Sequence, residues 1–180
     1  MIYIFLANGF EECEALVPLD ILRRGGIETK TVGIGSKIIT GSHGISFVCD
    51  LEENDINKEA LKGIILPGGM PGTINLENNK TVSDYIDYSY KNNLLIAAIC
   101  AAPSILGHKN MLRGKKATCF SGFEKDLYGA DVVDAPVVRD NNIITAYGAG
   151  AAFDFGFVIV KYINGKESSD ELKEQIRYTK

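Results

Sequence analysis

Short, unbroken apolar runs alternate along this chain with segments of helical periodicity, and that alternation is what most narrows the fold. Residues 2–7 (Ile-Tyr-Ile-Phe-Leu-Ala) have no polar face, as expected of a parallel strand buried on both sides. Asn8-Gly9 breaks the run. Residues 11–24 predict a helix, with Leu16, Leu19 and Leu22 at helical spacing, and Gly25-Gly26 as its stop. Pro18 is expected to disturb that helix one turn in. A strand over 28–34 follows, then a small β excursion over 38–49 that turns at Gly41 and Gly44. Ile64-Ile65-Leu66 predicts the next parallel strand, ended by Pro67-Gly68-Gly69. Residues 81–90 predict a helix with Val82, Tyr85, Ile86 and Tyr90 on one face, and 94–99 another buried strand. Pro103 suits the first turn of a helix. A short strand is expected over 116–119, and 137–144 reads as a hairpin turning at Asp140-Asn141-Asn142. Gly148-Ala149-Gly150 precedes an apolar helix over 151–163, stopped by Asn164-Gly165, and a polar helix over 168–176 closes the chain. This order implies an α/β fold with a doubly wound, mostly parallel sheet. In such sheets the functional site lies at the carboxyl ends of the strands.

The 180 residues suit a single domain, 1–180. The net charge of −4 comes without any Lys/Arg cluster, so no nucleic acid and no anionic membrane surface is expected as a partner. The opening apolar run is too short for a membrane span and lacks the basic flank of a signal peptide. Cysteines stand at 13, 49, 100 and 119, with no CxxC or zinc-type spacing, and the only histidines are His43 and His108. Neither a disulfide framework nor a structural zinc site is expected. A reducing, cytoplasmic setting fits.

Three loops follow predicted strands and carry chemistry. In Ile99-Cys100-Ala101-Ala102-Pro103 a strand runs into a helix with no spacer. The turning residue must take a strained conformation with its side chain pushed out of the sheet, the geometry of a nucleophile elbow. Ala98 and Ala102 supply the small neighbours such a turn needs. The helix that follows aims free N–H groups at the sulfur, which is expected to lower the thiol pKa and could hold an oxyanion. Packing alone would also place a cysteine there. Pro67-Gly68-Gly69-Met70-Pro71-Gly72 fixes an unusual backbone with few side chains in the way, open to a donated N–H. Asn8-Gly9-Phe10-Glu11-Glu12-Cys13-Glu14 clusters three carboxylates at a helix start, where acids are stabilising in any case. An acid that faces the elbow would tend to be protonated, and could then hydrogen-bond a thiolate and relay a proton.

These segments resemble the ThiJ/PfpI family. The resemblance rests on 8–15 with Pro18-Leu19-Asp20 and Arg23-Arg24-Gly25-Gly26, on Leu66-Pro67-Gly68-Gly69, on 97–103, and on Gly148-Ala149-Gly150 with Asn164-Gly165-Lys166. It is greatest for the branch that contains the DJ-one deglycase. It implies a flavodoxin-like sandwich of the class I glutamine amidotransferase type, and a homodimer. It implies that Cys100 is a nucleophilic, oxidation-sensitive cysteine with Glu14 as its protonated partner, and that the amides of Gly69 and Ala101 form an oxyanion site. Gly68, Phe120, Tyr147, Gly148 and His43 become pocket candidates. The implied activity is cofactor-free and metal-free conversion of small α-oxoaldehydes such as methylglyoxal, or of their protein adducts, to hydroxy acids. The alternative is redox sensing or chaperoning through the same cysteine. A peptidase or amidotransferase-like hydrolase ranks lower. Ala101 stands where protease-like members carry His, and neither His43 nor His108 is well placed to complete a triad. Phe120-Ser121-Gly122 occupies a stretch where relatives often carry His, and Tyr147 a position where they often carry Arg or Gln.

Overall fold

The computed structural model describes residues 1–179. The strands are β1 (Ile2–Leu6), β2 (Thr29–Gly33), β3 (Ile38–Thr40), β4 (Ser46–Val48), β5 (Leu51–Glu52), β6 (Gly63–Leu66), β7 (Leu95–Ile99), β8 (Lys116–Ala117), β9 (Asp131–Val132), β10 (Val137–Asp140) and β11 (Ile143–Ala146). The helices are α1 (Glu12–Arg24), α2 (Gly72–Glu77), α3 (Lys80–Lys91), α4 (Pro103–His108), α5 (Ala152–Asn164) and α6 (Lys166–Gln175). Among the described residues, seven strands form one sheet in the order β10-β11-β7-β6-β1-β2-β5. Every pairing in it is parallel except the β10–β11 hairpin.

β1 alternates between two cores. Ile2, Ile4 and Leu6 pack with α1 and α5 on one face, through residues such as Ile21, Leu22, Phe155 and Phe157. Tyr3 and Phe5 pack on the other, with Leu76, Val82, Tyr85 and Leu106 of α2, α3 and α4. Both faces being covered is why the run 2–7 carries no polar residue. Each fully buried side chain of this size contributes about 1.5–3 kcal/mol, so the two layers together define the strand's register.

α1 runs unbroken through Pro18, against the disturbance expected of it. Pro18 sits on the buried face with Leu19, Ile21 and Leu22, and packing against α5 holds the helix across the missing donor. The strand expected over 116–119 is only Lys116–Ala117, paired with β9 outside the main sheet. Thr118 turns its N–H to Thr145 Oγ1 at 2.9 Å instead. The excursion over 38–49 is the antiparallel hairpin β3–β4, and α2 is a short helix that 72–77 gives no periodic signal for.

The sheet winds outward in two directions from β1. β2 lies on one side of it and β6 on the other, followed by β7 and β11. The crevice at such a reversal, beyond the carboxyl ends of the strands, is where ligands bind in open α/β sheets. Loops 7–11, 67–71, 100–102 and 147–151 converge there.

Candidate active site

Cys100 takes φ = 65°, a left-handed backbone that costs a non-glycine residue about 1 kcal/mol or more. The strain is held by its neighbours. Cys100 N–H donates to Ala146 O at 2.9 Å, and Phe120 N–H donates to Cys100 O at 2.8 Å. Ala101 and Ala102 are buried directly after it, and Pro103 opens α4. The turn thrusts the half-buried thiol out of the sheet into reach of two backbone N–H groups, those of Gly69 and Ala101, both of which hydrogen-bond the sulfur.

The three acids at the start of α1 separate into three environments. Glu11 caps the helix, its Oε2 accepting from Glu14 N–H at 2.8 Å. Glu12 turns to the β3–β4 hairpin: its Oε1 accepts from His43 N–H at 2.9 Å, and its Oε2 lies 2.8 Å from His43 Nδ1. Glu14 is 1 % exposed and points into the site. Its Oε2 accepts from Gly68 N–H at 2.9 Å, and it also hydrogen-bonds Ala149 N–H and the Cys100 thiol.

Gly68 and Gly69 make this meeting possible. A Cβ on Gly68 would lie 2.6 Å from both Glu14 Oε2 and Cys100 Cβ. Gly69 has φ = +90°, and a Cβ there would meet Glu11 N at 2.4 Å. The close approach of loops 8–11 and 67–72 therefore requires bare backbone at Gly69, and the meeting of Glu14 with the elbow requires it at Gly68.

Burial pushes the Glu14 carboxyl up to about 7, with the Glu11 charge adding to it and the bonds from Cys100, Gly68 and Ala149 pulling back. Burial likewise pushes the Cys100 thiol up to about 12, and the charge of Glu14 and its hydrogen bond add to the rise. This corrects the expectation that the N–H groups after Cys100 lower the thiol pKa: they pull it down, but burial and the Glu14 charge outweigh them. Two of the three causes of the rise exist only while Glu14 is ionised. The two groups are one titrating unit: it loses a first proton near 7 and a second near 12. Between those limits the pair holds one proton. When it resides on Glu14, that carboxyl donates to a thiolate held by the N–H groups of Gly69 and Ala101.

The remaining pocket candidates fall in two places. Phe120 and Tyr147 line a cavity of about 720 Å³ beside the elbow, with Cys119, Glu124, Val132 and Asp134. Gly148 adjoins both regions, since a Cβ there would lie 3.2 Å from the Phe120 ring and 3.9 Å from Glu14 Oε1. His43 stands elsewhere, exposed on the hairpin turn and bonded to Glu12 and Ser42. His108 is paired with Glu77 Oε1 at 2.5 Å on the helical face. Glu11, Glu12 and His43 are the one group of metal-ligating side chains among the described residues with ligand atoms within 4.8 Å of one another. The bonds already made to them, a helix cap and a hairpin anchor, account for that proximity. Sequence reasoning missed the Ala149 N–H on Glu14 and the cavity wall at Cys119, Glu124, Val132 and Asp134. Nothing periodic in 119–134 signals that wall.

A cysteine on a strained strand-to-helix elbow, backed by a buried carboxyl and two backbone donors at the reversal of a parallel sheet, defines the ThiJ/PfpI class of α/β proteins. The chain belongs to the DJ-1/PfpI family, whose profile matches residues 1–162. It is 35% identical to protein DJ-1 homolog B of Arabidopsis thaliana over 95% of its own length, although it spans only 40% of that relative. It is 31% identical to protein dj-1beta of Drosophila melanogaster, covering 94% of this chain and 92% of the other. Among solved structures, a cysteine-to-alanine mutant of the DJ-1 superfamily protein STM1931 of Salmonella typhimurium superposes with a TM-score of 0.94 at 33% identity, covering 99% and 98% of the two chains. The oxidized form of Toxoplasma gondii DJ-1 gives 0.95 at 26% identity, with coverage of 99% and 98%. No helix among the described residues is long and apolar enough to cross a membrane.

Proposed function

We propose that the chain is a cysteine-dependent, cofactor-independent enzyme acting on small α-oxoaldehydes such as methylglyoxal, or on their protein adducts. The observation that carries this reading is the hydrogen bond between the buried Glu14 carboxyl and the Cys100 sulfur, on which the N–H groups of Gly69 and Ala101 also converge. Cys100 thiolate attacks the aldehyde carbon to give a hemithioacetal. The developing oxyanion takes the N–H groups of Gly69 and Ala101, which already point at the sulfur. Glu14, first an acid and then a base, moves a proton from the former aldehyde carbon to the adjacent carbonyl carbon through an enediol. The result is a hydroxyacyl thioester. Water cleaves it, releasing lactate from methylglyoxal or glycolate from glyoxal and restoring the thiol. Oxidation at one carbon balances reduction at its neighbour, so no external oxidant or reductant enters. The functional unit in this reading is a homodimer in the cytoplasm.

Purified protein is expected to consume methylglyoxal with lactate formed in equal amount, without glutathione or added metal. Cys100→Ser abolishes the reaction. Full activity in that variant would end the reading.

A second reading, an oxidation sensor, is favoured by the oxidized form in which the Toxoplasma relative was solved. Cys49 and Cys119 are buried; the charges of Glu11, Glu12 and Glu14 surround the exposed Cys13, whereas the Cys100 sulfur takes the N–H groups of Gly69 and Ala101, which favour a thiolate. Mild peroxide is therefore expected to add oxygen first at Cys100, detected by peptide mass spectrometry. First oxidation at any other cysteine would exclude it.

A further inference from the structure

The end of the sheet opposite the reactive thiol carries a recess that the oxoaldehyde chemistry does not use. It lies at the amino ends of β1, β2 and β6, where the chain enters those strands. Its volume of about 340 Å³ falls in the range of roughly 300–1,000 Å³ typical of small-molecule sites. Ile2, Ile27 and Ile163 give it an apolar floor, and Ile2 and Ile27 are buried. Glu28 and Lys62 are the charged side chains among its lining residues, and Asn164 adds a polar one.

Hydrogen bonds pin the walls of this recess to one another. Ile2 N–H donates to Glu28 O at 2.8 Å, and Lys62 N–H donates to Met1 O at 2.8 Å. Asn164 Nδ2 donates to Gly25 O at 2.8 Å, which ties the end of α5 to the turn after α1 and leaves Oδ1 for a ligand. Glu28 and Lys62 are exposed, and among the described residues neither side chain has an ion-pair or hydrogen-bond partner. Both nevertheless act on one point. The Met1 amino group, which donates to Ala60 O at 2.9 Å, has its pKa lowered most by burial, raised by the charge of Glu28 and lowered by that of Lys62. A positive and a negative charge thus border one preformed apolar floor without being paired to each other.

We propose that this recess binds a free α-amino acid with a branched apolar side chain, its carboxylate on Lys62, its ammonium between Glu28 and Asn164 Oδ1, and its side chain on Ile2, Ile27 and Ile163. Unpaired charges of both signs in one small recess suit a zwitterion, because a simple anion or cation would be repelled by one of them. The isoleucine floor selects for apolar area in what the zwitterion carries. The recess shares no residue with the reacting groups at Cys100, so this site goes beyond the oxoaldehyde reading and does not rest on it.

The test is isothermal titration of the native full-length chain with L-leucine, expected to bind with a Kd below about 1 mM. N-acetyl-leucine lacks the ammonium, leucine amide lacks the carboxylate and glycine lacks the side chain, and each is expected to bind roughly fivefold more weakly or worse. Glu28→Gln and Lys62→Gln alter exposed side chains where the fold is not at stake, and each is expected to weaken L-leucine roughly fivefold. Crossing variants with ligands reads the two contacts separately. Glu28→Gln is expected to leave N-acetyl-leucine unaffected, and Lys62→Gln to leave leucine amide unaffected. Amide shifts induced by L-leucine in nitrogen-15 correlation spectra are expected at 26–28, 62 and 163–164. Absence of L-leucine binding at about 10 mM, equal binding of leucine and leucine amide, or unchanged affinity in both variants overturns the proposal. Shifts confined to 100–102 and 147–149 would place the amino acid at the elbow and overturn it as well.

Discussion

Glu12 and Glu14 are the same side chain two positions apart, and the fold moves their acidities in opposite directions. Glu12 is buried, which opposes its charge, yet the His43 ring and the amides of His43 and Ile45 hold its pKa below the usual range. Glu14 is buried beside a thiol and is pushed up to about 7. That rise carries a sign for stability. The folded state holds the Glu14 proton more tightly than the unfolded chain does, so its contribution is fully present below about pH 4.5 and is lost as pH rises through about 7. The loss amounts to about 3 kcal/mol. Denaturant unfolding at pH 5 and pH 8 is expected to show this decline in the native protein and a much flatter response in Glu14→Gln. Alkylation of Cys100 by iodoacetamide is expected to accelerate as pH rises through about 7 and then level off, and the inflection near 7 disappears in Glu14→Gln. The substitution that strikes the reacting pair directly is Gly68→Ala. Its new methyl group collides with Glu14 Oε2 and Cys100 Cβ, both at 2.6 Å. A displacement of about 1 Å in a reacting geometry costs on the order of a hundredfold in rate. A drop of that size in methylglyoxal consumption is expected, with the far-ultraviolet circular dichroism of the fold retained.

At the scale of elements, the β3–β4 hairpin is fastened to α1 by one carboxylate. Glu12 accepts from the His43 ring and from the N–H groups of His43 and Ile45, and a Cβ on Gly41 would collide with the Glu12 carboxylate at 2.3 Å. Glu12→Ala leaves these backbone donors without their acceptor, a loss of about 1–3 kcal/mol. The hairpin turn over 41–45 is then expected to become the first site of limited proteolysis. His43→Ala, which removes only an exposed partner, is expected to lose less. The sequence announces the long elements and their order because unbroken apolar runs mark β1, β6 and β7 and helical periodicity marks α1, α3 and α5. It announces the elbow because Cys100 stands between an apolar strand and Pro103. It does not announce which acid turns inward, because that choice depends on how α1 rotates onto α5 and how close loop 67–72 comes. Nor does it show β8 and β9, since two-residue strands carry no period, or the cavity wall, which is assembled from loop residues with no pattern of their own.

For the whole molecule, the sheet order brings residues separated by up to 135 positions, Glu14 and Ala149, into one hydrogen-bonded site. Such a site exists only when both halves of the sheet are docked on β1, so unfolding and loss of thiol reactivity are expected to coincide in denaturant titrations. The homodimer inferred from the family is checked by light scattering after gel filtration, which is expected to give twice the 19.6 kDa chain mass. A monomer would confine the reaction to groups that a single chain supplies.

Two donors that grip the sulfur, the amides of Gly69 and Ala101, belong to the peptide chain itself. A point substitution can shift them, and only one to proline can delete them. The rings and acids of the neighbouring cavity have no such protection, and each can be exchanged in one mutational step. Descendants of this scaffold can thus acquire new appetites by redecorating Phe120, Tyr147, Glu124 or Asp134, while the part that grips the reacting atom is inherited intact.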